Sequence, residues 1–438
     1  MEKKSHVRVW IAIVVCVLAA AILTGAIAIP MRYGSYKQFW YDLHGGEVQY
    51  PVVLVHGLGG WGERDGEDIA QYWGATTGSL AAYLREEGHT VCVPSVGPYS
   101  STWDRTCELY AQLTGTTVDY GEAHAKAHNH LRYGRTYDTA LVPNWGEKEN
   151  GGQRIKINLI GHSFGGATVR MLASLLANGD EAEKAATGQE TSPLFTGGKA
   201  DWVFSVTTLC APHNGSQLTC IVDDLGSLAG IDNTTDLAVD LLFKAVKQNG
   251  DSGAFNDLML DQFGVGTNSG DQDDVSDAIK TIESAGNDHA FYELSPDGAA
   301  QLNKRIGTVD GVYYFSYAYS TTKEGTILRG MVPETNTLPV LYPLALTMGS
   351  YTGTTAGGIE IDESWQDNDG LVGVVSAQFP TGDAHAELPD DLSLIETGLW
   401  YVAPTRRGDH GTVVGLNADT TETHQFYDAL LGMLQAIR

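Results

Sequence analysis

The chain has 438 residues, 42% of them hydrophobic and 18% charged, with a formal net charge of −27. This composition fits a globular body with a sizeable core and excludes a disordered chain. It offers no basic face to a nucleic-acid backbone, and at low salt it repels an anionic membrane surface.

At the N-terminus, Lys3, Lys4 and Arg8 precede an uncharged run from Val9 to Ile29. Its 21 residues match the roughly 20 that a spanning helix needs and exceed the apolar core of about 7–15 in a cleaved signal. Residues 1–30 are therefore expected to attach the protein to a membrane, although Ala26-Ile27-Ala28 keeps a cleavage site and secretion open. On either reading the basic end stays inside and the body, 31–438, is exported. Of the five cysteines, Cys16 lies in the apolar run. Cys92, Cys107, Cys210 and Cys220 are too few to staple a body of this size and leave room for one bridge. Cys210 is expected to pack in a strand as a small hydrophobe.

In chain order, "PVVLVHGLGG" (51–60) reads as a buried strand entering a tight loop, and "HTVCVPSV" (89–96) as a second strand. "IKINLIG" (155–161) is a third, followed by a helix from Phe164 to about Leu176. "WVFSVTTLCAP" (202–212) and "VYYFSYAYS" (312–320) are the fourth and fifth. "DLAVDLLFKAVKQNG" (236–250) is an amphipathic helix with Leu237, Leu241, Leu242 and Val246 on one stripe, suited to a lid or to permanent docking on the core. Residues 266–277 and 352–358 read as surface loops. A helix over 422–437 closes the chain. Strands alternating with helices predict an α/β fold with a mostly parallel sheet covered on both faces.

Gly161-His162-Ser163-Phe164-Gly165 joins the third strand to its helix. A serine held between glycines on such a turn is the geometry of an exposed nucleophile. Its oxyanion would be bound by the N–H of Phe164, the residue after the serine, and by that of Leu58 in the loop after the first strand. A serine also needs a base, and in this arrangement the order is Ser, then Asp or Glu, then His. Five histidines follow the serine: His213, His289, His385, His410 and His424. His410, in the glycine-flanked loop "RRGDHGTVVG", is preferred. "SWQDNDGLVG" offers Asp367 and Asp369, and Asp369, which opens an apolar run, is preferred. The residues alone leave both choices open. They also leave open whether "HAKAHNH" (124–130) binds a metal or is a polar surface.

The stretches "PVVLVHGLGGWG", "YWG" (72–74), "VGPYSSTWDR", "VDYGEAHAKAHNHLRYGRTY" and "SVTTLCAPHNGS" resemble the staphylococcal and Bacillus-type secreted lipases, from about residue 50 to the C-terminus. The resemblance implies an α/β-hydrolase fold, extracellular hydrolysis of acylglycerol esters, and Ser163, Asp369 and His410 as the triad, with Leu58 and Phe164 as oxyanion donors. It implies a zinc-binding subdomain at about 98–150 whose structural zinc is held by Asp104, His124, His130 and Asp261. It implies a lid at about 215–265. It also implies calcium near the catalytic histidine. The chain departs there, with Thr412, Asn417 and Ala418 where carboxylates and an Asp-Pro belong, so calcium is not expected. Alternatives with the same triad are a phospholipase A or a short-chain esterase, and from another class a non-catalytic zinc-stabilised surface scaffold.

Overall fold

The computed structural model describes residues 50–65, 71–148, 152–229, 257–264, 286–325 and 330–437. The expected anchor or signal at 1–30, the expected lid helix at 236–250 and the polar stretch 266–277 lie outside the described residues. Among the described residues no helix is long and apolar enough to cross a membrane.

The main sheet has seven strands: β1 (Val52–Val55), β2 (Val91–Cys92), β3 (Ile157–His162), β4 (Val203–Leu209), β5 (Tyr313–Tyr317), β6 (His385–Glu387) and β7 (Trp400–Val402). They lie in the order β6-β7-β5-β4-β3-β1-β2. Every adjacent pair is parallel, for example Val53 beside Leu159 and Leu159 beside Val206. Such strands are buried on both faces and therefore read as continuous apolar runs. In β1, Val53 and Val55 enter one core cluster, while Val52 and Leu54 enter another. The alternation of successive side chains across a strand puts those clusters on opposite faces of the sheet.

Five main strands fall where the sequence places them. The fifth predicted run breaks after Tyr317, and Tyr319–Ser320 pairs with Arg406–Arg407 in a separate ladder. β6 and β7 are three residues each, too short to show a period, and the sequence reading missed both.

Helix α1 (Leu80–Glu86) and helix α2 (Thr102–Thr114) follow β1 and β2. Ser101 caps α2 by accepting from Asp104 N at 3.2 Å, and Gly115 ends it at φ 67°, a conformation that glycine adopts without strain. Helix α3 (Glu122–His128) carries the histidine-rich tract. Helix α4 (Gly165–Asn178) leaves the Ser163 turn and packs on α2. Helix α5 (Gln217–Ala229) begins the expected lid region. The closing helix α6 (Thr420–Ala436) starts earlier than the apolar stripe alone indicates, because Asp419 accepts from Thr421 N and Glu422 N at 2.8 and 3.0 Å.

After β1 the chain moves outward to β2, and from β3 it works toward the opposite edge through β4 and β5. That reversal lies between β1 and β3, and the crevice at the carboxyl ends of such strands is where ligands bind. The loops after β1 and β3 are the ones holding Leu58 and Ser163.

Candidate active site

Ser163 has φ 55°, in the left-handed region that costs a residue with a side chain about 1–3 kcal/mol. The surrounding backbone imposes it. Ser163 N donates to Leu209 O at 2.8 Å, tying the turn to the end of β4, and its carbonyl accepts from Gly166 N at 2.9 Å. A Cβ at Gly161 would stand 2.4 Å from Gly165 O, and one at Gly165 would stand 2.3 Å from Val55 O. The two glycines are therefore what let strand and helix close on the serine.

The loop after β1 is pinned on either side of Leu58. His56 is buried, and its Nε2 accepts from Val96 N at 3.1 Å. The proton therefore sits on Nδ1, which donates to Gly57 O at 2.9 Å. Burial, helped by the Arg105 charge, holds this imidazole neutral, with its pKa down to about 3. Gly57 N donates to the Tyr72 hydroxyl at 2.8 Å, and Gly59 N to Pro98 O at 3.0 Å.

His410 Nδ1 donates to Asp369 Oδ2 at 2.8 Å, and the two main chains are joined by His410 N to Asp369 O at 2.8 Å. The other Asp369 oxygen accepts from Leu371 N and Val372 N at 2.9 and 2.8 Å. Asp367, the rejected neighbour, instead accepts from the hydroxyls of Ser320 and Thr322. With Nδ1 committed to Asp369, Nε2 of His410 is the basic nitrogen. Ser163 and His410 line one cavity of about 840 Å³, whose walls include Leu58, Phe291, Leu341 and Leu416. A largely apolar chamber whose wall holds a strained serine hydroxyl and a carboxylate-oriented imidazole has the parts that acyl transfer requires.

Three further residues shape this site, and the sequence reading gave none of them a part in it. His162 Nε2 lies 3.0 Å from His410 O, so it carries the proton, and Nδ1 accepts from the Tyr72 hydroxyl at 2.6 Å. Burial, then the His410 charge, keeps the His162 pKa well below its usual value. Cys210 directly follows β4 at φ 51°, fully buried, and its Sγ lies within 4.8 Å of Asp369 and His410 ligand atoms. Burial raises the thiol pKa well above its usual value, with the Asp369 charge adding to the effect. After His410, Asn417 closes the loop with its side-chain amide, donating to Asp409 Oδ2 and Asn336 O, both at 2.9 Å.

A second cluster gathers Asp104 of α2, His124 of α3, His130 just beyond it, and Asp288. His124 Nε2 lies 3.3 Å from Asp104 Oδ1 and 3.1 Å from Asp288 Oδ2, and His130 Nε2 lies 3.9 and 3.6 Å from the same two atoms. All four atoms are buried without a hydrogen-bond partner. Four orphaned donors of this kind, two imidazole and two carboxylate, fit a tetrahedral divalent cation. His130 Nδ1 donates to Leu131 O at 2.9 Å, which leaves Nε2 as the ligating lone pair.

Asp261, expected as the fourth ligand, lies elsewhere. It accepts from Arg135, which also grips Asp257. Its carboxylate is thereby neutralised by a guanidinium. Asp288 takes the expected place beside the histidines. His128, the third histidine of the tract, is not one of the four, although its ring centroid is 4.6 Å from that of His124.

Residues 48–436 match the family described as "Lipase-like, C-terminal domain". The chain is 34% identical to Lipase 2 of Staphylococcus aureus over 378 residues, which is 84% of this chain and 51% of that protein. It thus spans about half the length of the curated relatives it matches. EstA from Clostridium botulinum is similar in structure, with a TM-score of 0.76 and 33% identity, covering 90% of each chain. So is Lipase 1 from Pelosinus fermentans, with a TM-score of 0.72 and 35% identity, covering 89% of this chain and 99% of that one. With its parallel sheet, Ser163 turn and Asp369–His410 pair, the chain belongs to the lipase-like C-terminal domain family.

Proposed function

We propose that this protein is a serine carboxylic-ester hydrolase that cleaves acylglycerol esters at a lipid–water interface outside the cell. The observation that carries the reading is His410, bonded to Asp369, in the wall of the same apolar cavity as the strained Ser163.

In this mechanism His410 Nε2 takes the Ser163 proton as Oγ bonds to the ester carbonyl carbon. The carbonyl π pair moves onto oxygen, and the N–H groups of Leu58 and Phe164 receive the resulting anion. Asp369 orients the imidazolium and stabilises its charge. The anion collapses, the C–O bond to the glycerol oxygen breaks, and His410 protonates that leaving alcohol. Water, deprotonated by His410, then attacks the acyl carbon, releasing the fatty acid and restoring the serine hydroxyl. The aliphatic walls hold the acyl chain and keep bulk water from the charged intermediate.

Asp104, His124, His130 and Asp288 would hold one divalent cation, and their nitrogen and oxygen donors suit zinc. With all four ligands from the protein, the ion would cross-link α2, α3 and the segment before Ala290 rather than take part in the ester chemistry.

Replacing Ser163 with Ala tests the proposal. Turnover of a triglyceride emulsion and labelling by a fluorophosphonate are both expected to vanish while the melting temperature stays near wild type. Retained turnover would overturn it.

A further inference from the structure

Arg105 is fully buried, and none of its hydrogen-bond acceptors is a carboxylate. Nη2 donates to His56 O at 2.5 Å, Nη1 to Gly97 O at 2.8 Å and Nε to Thr168 Oγ1 at 3.0 Å. The guanidinium carbon also sits 5.1 Å over the ring of Phe164. Among the described residues no ion pair holds this cation. Burial draws its pKa down to about 10, so it remains charged at neutral pH.

A buried guanidinium satisfied only by neutral oxygens is expensive, and a chain keeps one where its fork does something an apolar side chain cannot. The positions of the acceptors indicate what that is. His56 O belongs to the peptide joining His56 to Gly57, directly before Leu58. Gly97 O belongs to the adjoining loop, whose Pro98 carbonyl receives Gly59 N. Thr168 lies in the first turn of α4, the helix that begins beside Phe164. One rigid cation thus touches the loop after β1, the loop supporting it, and the helix start after Ser163.

We propose that Arg105 is a positioning residue that fixes the Leu58 and Phe164 N–H groups relative to each other and adds positive charge behind the oxyanion they receive. The inference rests on the assignment of those two groups as the oxyanion donors. Hydrogen-bond donors stabilise a developing anion only when aimed before it forms, so a loosened pair loses the transition state and leaves ground-state binding of the ester in place.

The test compares wild type, Arg105→Lys and Thr168→Val on a soluble p-nitrophenyl ester and with an alkyl boronic acid, whose boron becomes a tetrahedral anion on bonding Ser163 Oγ. Lysine keeps the charge but cannot reach three acceptors. Arg105→Lys is expected to lower kcat by roughly 100-fold, the scale of losing one oxyanion donor, to change KM by less than about threefold, and to weaken boronate binding in parallel with kcat. Thr168→Val leaves the guanidinium in place and removes one anchor. It is expected to move kcat and boronate affinity about three- to tenfold in the same direction, the worth of one hydrogen bond, and it carries the test alone if Arg105→Lys does not fold. A folded variant with wild-type kcat and wild-type boronate affinity would overturn the proposal. So would a loss confined to KM. Failure of the ester-hydrolase reading itself would show in the wild type, as absent turnover and absent boronate binding.

Discussion

His162 donates from Nε2 to the carbonyl of His410 across 3.0 Å, so the residue before the proposed nucleophile holds the loop that carries the proposed base. The Tyr72 hydroxyl completes the set. It donates to His162 Nδ1 at 2.6 Å and accepts from Gly57 N at 2.8 Å. Tyr72→Phe breaks both bonds and leaves the ring in place. The expected outcome is a fall in kcat of about tenfold on a soluble ester, from two lost bonds of about 0.5–1.5 kcal/mol each, with a correspondingly slower fluorophosphonate reaction and a melting temperature close to wild type.

Gly57 faces the serine directly. A Cβ there would stand 2.7 Å from Ser163 Cβ and 3.0 Å from the Tyr72 hydroxyl oxygen. Gly57→Ala is expected to push the nucleophile off its line and lower kcat by about 100-fold, the usual consequence of a displacement near 1 Å. Circular dichroism should show an intact fold. Unchanged steady-state kinetics would mean that the loop moves aside without consequence.

The four orphaned ligand atoms predict about one zinc per chain. Chelation is expected to lower the melting temperature by on the order of 10 °C, given the several kcal/mol that a tightly bound ion adds to a folded domain. Asp288→Asn should lose zinc, measured by atomic absorption. Asp261→Asn should keep it, because Asp261 is bonded to Arg135. Zinc lost from Asp261→Asn and retained by Asp288→Asn would reverse the ligand assignment.

Glu293 is half-buried, and its carboxyl accepts from Thr102 N at 2.6 Å at the start of α2. Burial raises its pKa from 4.5 to about 8. The unfolded chain gives up this proton near pH 4.5, while the folded chain keeps it to about pH 8, so the Glu293 contribution to stability is full below pH 4.5 and declines as pH rises toward 8. Glu293→Gln removes the titration. Relative to wild type, the variant should therefore gain melting temperature between pH 5 and pH 8 in paired thermal scans, and a constant difference across that range would refute the assignment.

The sheet centre, Ser163 and the Leu58 loop were legible because each sits where a local pattern changes abruptly. Val52–Val55 and Ile157–His162 are apolar runs cut off by glycines, and the residues with exposed chemistry follow at once. His410 and Asp369 needed the family pattern, since the residues alone also offered Asp367 and four other histidines. What stayed hidden is long-range. Asp288 becomes a metal ligand candidate only through the path of the chain before Ala290, and "GNDHAF" carries no spacing that distinguishes it from the many other acidic residues. Arg105 reads as one more helix cation until its three carbonyl and hydroxyl partners are seen. β6 and β7, three residues each, are placed by tertiary pairing, β7 on β5 and β6 on β7.

The order of the proposed triad residues along the chain bears on biosynthesis. A polypeptide whose synthesis has reached β5 already holds Ser163 and both oxyanion loops, yet Asp369 and His410 are still to come, and α6 must then pack before their loop is anchored. On the proposed mechanism a growing chain is inert toward esters until His410 has been made and its loop has folded. On that reading a producing cell is spared hydrolysis of its own lipids during translation.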